Sequence, residues 1–168
     1  MSKRISKEQF SLLVRQHASE VTDFVSRLLA DGQEAEDVAQ EAFIRAFRQL
    51  PSFRGDCPLL TWVLRIAYHE AIDRLRRRRP YVADIGDVHM DIEDDDLSTG
   101  REERIRLLED AVGQLPSEDQ LLLHLYYYED RPLRDIAYIM DAEPNTLSAR
   151  LYRIRKRLLH MIKLKENE

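Results

Sequence analysis

The chain has 168 residues, 43% hydrophobic and 34% charged, with only five glycines and six prolines. That composition fits one or two small helix-rich domains and excludes a sheet-rich or disordered chain. The single cysteine, Cys57, excludes an internal disulfide and fits a reducing cytoplasm, no apolar run approaches the ~20 residues of a membrane span, and the polar residues 1–10 are no secretory signal.

The formal net charge of −5 argues at first sight against a nucleic-acid binder, but its distribution is segmented. Arg74, Arg76, Arg77, Arg78 and Arg79 put five arginines in six positions, residues 84–96 hold seven acids and no lysine or arginine, and residues 148–165 hold seven lysines or arginines and no acid. Basic ends and an acidic spacer are complementary. The two halves are therefore expected to pack together and hide their basic surfaces when no partner is present.

In chain order, Phe10, Leu13, Val14, His17, Val21, Phe24, Val25 and Leu28 recur at three- and four-residue steps and predict an amphipathic helix, with Gly32 as its breaker. A second stripe, Ala35, Val38, Ala39, Ala42, Phe43, Ala46 and Phe47, predicts a second helix stopped by Pro51. Its other face carries Asp37, Gln40, Glu41 and Ile44, which fits a protein-docking face met by basic side chains, although on these residues alone a solvated face is the better reading. Residues 53–58, with Gly55 and Pro58, predict a loop. Thr61 is the expected cap of a third helix over 62–79 that ends in the arginine cluster before Pro80. Phe53, Trp62, Tyr68 and Tyr81 lie close to these cations, a combination suited to single-stranded nucleic acid, although Phe53 and Trp62 fit a core equally well.

Residues 81–100 are acidic, contain Gly86 and Gly100, and show no sustained period, so they predict a linker. Asp94, Asp95 and Asp96 lack the spaced ligands and glycine of a calcium loop. Beyond it, Leu107, Leu108, Ala111 and Leu115 form a stripe stopped by Pro116. Ser117 is the expected cap of a helix over 121–128, Leu133, Ile136, Ala137 and Met140 form a short helix, and Asn145 or Thr146 opens a last helix with Leu147, Leu151, Ile154 and Leu158 inside. Two helices across a short turn, the second one basic, are the pattern of a helix-turn-helix. On the last helix the face opposite the core carries Ser148, Ala149, Tyr152, Arg153 and Lys156, flanked by Arg150, Arg155 and Arg157: small residues for close approach and arginines for guanine edges or phosphates. The fold class is all-α, with two small helical domains over 1–80 and 101–168 joined by the acidic linker.

No glycine-rich phosphate loop, no His/Cys metal spacing and no nucleophile paired with a base is present. No enzyme activity and no cofactor or metal are expected.

Three stretches carry a family resemblance. AEDVAQEAFIRAF (35–47), FRGDCPLLTWVLRIAYHEAIDRLRRRR (53–79) and LPSEDQLLLHLYYYEDRPLRDIAYIMDAEPNTLSARLYRIRKRL (115–158) resemble, in order, the polymerase-binding, −10 and −35 segments of extracytoplasmic-function (ECF) sigma factors of the sigma-70 family. The resemblance implies a cytoplasmic, non-enzymatic factor that directs RNA polymerase to promoters and helps open the duplex. Asp37, Gln40, Glu41 and Ile44 would bind the coiled coil of the largest polymerase subunit. Phe53, Arg54, Gly55, Arg65, His69 and Arg76 would act at the −10 element, and Thr146, Ser148, Ala149, Arg150, Tyr152, Arg153, Arg155 and Arg157 at the −35 element. The flap of the second-largest subunit and an anti-sigma factor are the further partners it implies, with no membrane insertion. The chain departs from the family pattern at His69, where asparagine is usual, at Asp135 for glutamate, at Asp141 for the turn glycine, and at Asn145 for glycine. The rival readings are a helix-turn-helix regulator acting without polymerase-core binding, against which the Asp37, Gln40, Glu41 face argues, and an interaction adaptor of two helical bundles, against which the unmixed basic end argues.

Overall fold

The computed structural model describes residues 4–78 and 100–168. Arg79, Tyr81, His89 and the acidic linker over 81–99 lie outside the described residues. Seven α-helices in two groups form the described structure: α1 (Lys7–Ser26), α2 (Gly32–Gln49) and α3 (Leu59–Arg78), then α4 (Arg101–Gly113), α5 (Ser117–Leu123), α6 (Leu133–Ile139) and α7 (Pro144–Glu166). Among them, no helix is long and apolar enough to cross a membrane.

In the first group α1, α2 and α3 pack on one another. Helix α1 opens on a capping box, Ser6 Oγ accepting from the Gln9 amide while Gln9 Oε1 accepts from the Ser6 amide. The predicted break at Gly32 is corrected: Asp31 caps α2 by accepting from Gln33 and Glu34, and Gly32 is the first residue of that helix. The turn between the helices is held by Leu28 and Leu29, both buried. Helix α2 ends at Gln49 and a single 3-10 turn over Leu50–Ser52 takes up Pro51. Phe47, expected inside, is 45% exposed and rests its ring against Phe10. Helix α3 begins before Thr61, the Trp62 amide already donating to the Pro58 carbonyl. Thr61 therefore lies inside the helix and is buried rather than acting as its cap.

In the second group the buried stripe of α7, Leu147, Leu151, Ile154 and Leu158, continues to Ile162 and packs on α4, α5 and α6. Leu121, Leu125, Ile136 and Leu147 are at most 1% exposed, and truncating such a side chain to alanine costs about 2–5 kcal/mol. Leu108, read as core, lies on the exposed side of α4. Ser117 does not cap; it is the first residue of α5, preceded by Pro116, and the helix continues through one π turn over His124–Tyr128. Helix α7 starts at Pro144, one residue before the predicted Asn145, because proline's fixed φ suits a first helical position and its missing N–H is one the helix does not use.

The α6–α7 turn is a Schellman closure: Ala142 N donates to the Ala137 carbonyl at 2.9 Å and Asp141 N to the Tyr138 carbonyl at 3.4 Å, with Asp141 at φ 53°. An aspartate tolerates this left-handed conformation better than most side chains.

Candidate nucleic-acid interface and docking face

Helix α7 divides as its sequence predicts. With Leu147, Leu151, Ile154 and Leu158 buried, Thr146, Ser148, Ala149, Tyr152, Arg153, Arg155 and Arg157 are exposed. The Lys156 ammonium lies 4.7 Å from the Tyr152 ring centroid, and Arg155 Nη1 donates to the Tyr127 hydroxyl at 2.6 Å. Arg150 has a different environment. It is half-buried, its Nε and Nη2 both 2.6 Å from Asp119 Oδ1, with Nη2 3.7 Å from Glu118 Oε2. This pairing braces α7 against α5, and no local pattern signals it because the partners are 31 residues apart.

The candidate docking face is the outer side of α2. Asp37 and Gln40 are exposed, Glu41 is partly so, and Ile44 is 45% exposed. Phe47 extends this face by one turn and was missed because its spacing fits the core stripe. Arg45 joins Glu41 (3.7 Å) to Glu70 of α3, which fixes the edge of the face to the neighbouring helix. At the other end of α2, Glu34 is 8% exposed and pairs with Arg78 at 2.6 Å and Arg74 at 3.7 Å. The carboxylate thereby holds Arg74 and Arg78, two arginines of the cluster, a role that sequence spacing did not reveal.

The loop before α3 turns at Gly55, whose φ of 79° is one that glycine adopts without penalty. Phe53 packs on Trp62 at 5.1 Å between centroids, both half-buried, and Arg54 is exposed. Arg65 and His69 face the second group of helices, while Arg76 is exposed. Arg65 Nη1 donates to the Tyr138 carbonyl at 2.9 Å, Nη2 donates to Asp141 Oδ1 at 3.0 Å, and the guanidinium lies 4.7 Å from the Tyr138 ring centroid. His69 Nε2 is 3.6 Å from Asp141 Oδ2. Nearby, Tyr68 Oη donates to Glu118 Oε2 at 3.3 Å, and Arg131 Nη2 is 3.7 Å from Glu20 Oε1. The two helical groups therefore pack together, through α3 and α6 among the described residues, but the expected concealment of the basic surfaces is corrected: Arg65 and His69 of α3 are partly covered, while Arg76 and the outward face of α7 stay exposed.

Titration follows this packing. Burial, together with the hydrogen bond shared with Cys57, pushes the Tyr138 phenol up to about 12. Burial and the Glu118 carboxylate raise Tyr68 above the ordinary tyrosine range, and burial raises the Cys57 thiol. His124 is pulled below the usual 6.5 by burial and by Arg27, which together outweigh Glu129 at 3.2 Å. Among the described residues no group of three or more His, Cys, Asp or Glu side chains is placed to hold a metal ion.

A helix-turn-helix with a basic outward helix, packed with a second group of helices that exposes Asp37, Gln40 and Ile44 on one face, is the make-up of a DNA-binding transcription protein. The sequence matches the family described as Sigma-70 region 2 over residues 13–81 and the one described as Sigma-70, region 4 over residues 105–158. It is 36% identical over 165 residues to the RNA polymerase sigma-H factor of Pseudomonas aeruginosa, covering 91% of this chain and 86% of that one. It is 32% identical over 162 residues to the ECF RNA polymerase sigma-E factor of Escherichia coli K12, covering 89% and 84%. The fold is shared with CnrH, solved in complex with the cytosolic domain of CnrY (TM-score 0.63, 19% identity, 95% and 90% covered), and with the sigma factor RpoE of Bartonella quintana, solved with the anti-sigma factor NepR (TM-score 0.64, 18% identity, 93% and 98% covered). The chain belongs to the sigma-70 family and is an RNA polymerase sigma factor of the ECF type, a factor for promoter recognition.

Proposed function

We propose that residues 1–80 form the region 2 domain, 81–100 a tether and 101–168 the region 4 domain of a cytoplasmic sigma factor with no catalytic activity of its own; the polymerase does the chemistry. Asp37, Gln40, Glu41 and Ile44 dock on the coiled coil of the largest subunit, and the region 4 domain meets the flap of the second-largest. Phe53, Arg54, Gly55, Arg65, His69 and Arg76 engage the −10 element and help open the duplex. Thr146, Ser148, Ala149, Tyr152, Arg153, Arg155 and Arg157 face the −35 major groove, with Arg150 at its edge holding the helix in place. An anti-sigma factor, the partner in the RpoE–NepR complex, is a further binder.

The observation that carries this reading is the division of α7, with five apolar side chains buried and Ser148, Ala149, Tyr152 and Arg153 exposed together. Small residues and arginine on the free face of a second helix suit a major groove. The test is initiation by purified polymerase core on promoters it otherwise ignores. The full chain should confer it. Asp37→Ala with Glu41→Ala should weaken core binding while changing stability by no more than about 0.5 kcal/mol, since the lost charges are at the surface. Unchanged core affinity in that double variant, or sequence-specific nanomolar promoter binding by the free chain without polymerase, would favour a stand-alone regulator.

A further inference from the structure

The contact between the domains has an unusual chemistry. Two hydrogen-bond donors of one guanidinium, Arg65, are taken by two acceptors at the C-terminal end of α6: the Asp141 carboxylate and the Tyr138 carbonyl. The other Asp141 oxygen faces His69, one helical turn along α3. The Tyr138 carbonyl sits in the last turn of α6, where the helix dipole is negative. An anionic oxygen and a polarised carbonyl side by side resemble the paired oxygens of a phosphodiester, the group a guanidinium fork binds on a nucleic-acid strand.

We propose that the Asp141 turn is an internal anionic decoy, which latches the region 4 domain over the α3 edge and must be displaced before Arg65 and His69 reach a nucleic-acid strand. The proposal rests on the reading of α3 as strand-binding. Three features fit displacement rather than permanent closure. Arg65, His69 and Asp141 are 31%, 42% and 59% exposed, so water and salt reach the contact, and such pairs are individually weak. Among the supporting contacts, those of Tyr68 with Glu118 at 3.3 Å and of Arg131 with Glu20 at 3.7 Å are long and polar. The Schellman backbone that presents Asp141 is internal to α6 and its turn, so the latch opens without unfolding either domain. Binding of a strand is then weakened by the fraction of molecules that are open.

The experiment uses the full-length chain and Asp141→Gly, which removes the carboxylate while giving the φ of 53° a residue that adopts it freely. Asp141→Asn, which also tolerates that conformation, serves as a second variant. Small-angle scattering reads domain separation, and anisotropy of a fluorescein-labelled 20-nucleotide single-stranded DNA of mixed sequence reads binding at 150 mM salt. Asp141→Gly should enlarge the radius of gyration and tighten binding about five- to tenfold, as for a chain open about 10–20% of the time. Glu143→Gln, the same charge loss two residues away, should change affinity less than about twofold, and Arg65→Ala added to Asp141→Gly should abolish the gain. An unchanged radius of gyration overturns the latch. Expansion without tighter binding, or equal tightening by Glu143→Gln, overturns the decoy. A gain that survives Arg65→Ala overturns the strand-binding role of α3, while leaving initiation with polymerase core as the separate test of the sigma function.

Discussion

Arg150 is the residue whose structural and recognition roles differ most in their consequences. Its guanidinium is 28% exposed and lies at 2.6 Å from an Asp119 carboxylate that is 14% exposed. In Arg150→Ala that carboxylate loses its partner while remaining mostly out of water. A hydrogen bond to a charged group contributes about 1.5–3 kcal/mol, and partial exposure places this one near the lower half, about 2 kcal/mol. For a domain of this size, 1 kcal/mol shifts the melting midpoint by about 4–8 °C, so the region 4 transition should fall by about 8–16 °C. Calorimetry on the full chain would follow that transition separately from the region 2 transition. Asp119→Ala completes a double-mutant cycle, for which a coupling of about 1–2 kcal/mol is expected. If Arg150→Ala melts within about 2 °C of the parent and the coupling is below about 0.3 kcal/mol, the side chain does not brace α7 against α5.

Three further outcomes follow from the same structure. Arg153→Ala should lose about 1–3 kcal/mol of discrimination at one −35 base pair, whereas Arg157→Ala, farther along α7, should weaken all sequences alike and lower the salt slope by about one unit; a base-substitution panel in which both act uniformly would make Arg153 an electrostatic contact only. His69→Asn should keep folding and polymerase binding but change the preferred −10 base, because a histidine ring and an amide present different donor and acceptor geometry; permanganate footprinting on templates varied at each −10 position would show identical preferences if His69 has no part in recognition. His124 takes up its proton near pH 6.5 when unfolded but only at lower pH when folded, so protons favour the unfolded chain and stability falls as the pH drops from 6.5 through the lowered folded value. His124→Gln should remove that part of the slope, and parallel denaturation curves for parent and variant across this window would contradict it.

How far the sequence reached is clearest on α7. Its buried stripe and its exposed face are consequences of side-chain order along a 3.6-residue period, which is local information. The same local logic located the helices, the helix-turn-helix and the face around Asp37, Gln40 and Glu41. It failed where local patterns are ambiguous. Phe47 and Leu108 fit a core stripe by spacing, yet the width of each buried face depends on which neighbouring helix covers it. Thr61 and Ser117 are residue types that cap helices, but prolines at 58 and 116 set the chain's entry first.

The tertiary structure alone decided who holds the arginines. Arg150 with Asp119, Arg78 with Glu34, and Arg65 with Tyr138 and Asp141 are pairs separated by 31, 44 and 73–76 residues. A run of cations in the sequence fixes the sign of a surface and little else. Whether a given guanidinium braces a core, orders a neighbour or stays available for a phosphate depends on which carboxylate the packing of helices brings within 3 Å, and long flexible side chains reach partners that no linear spacing encodes.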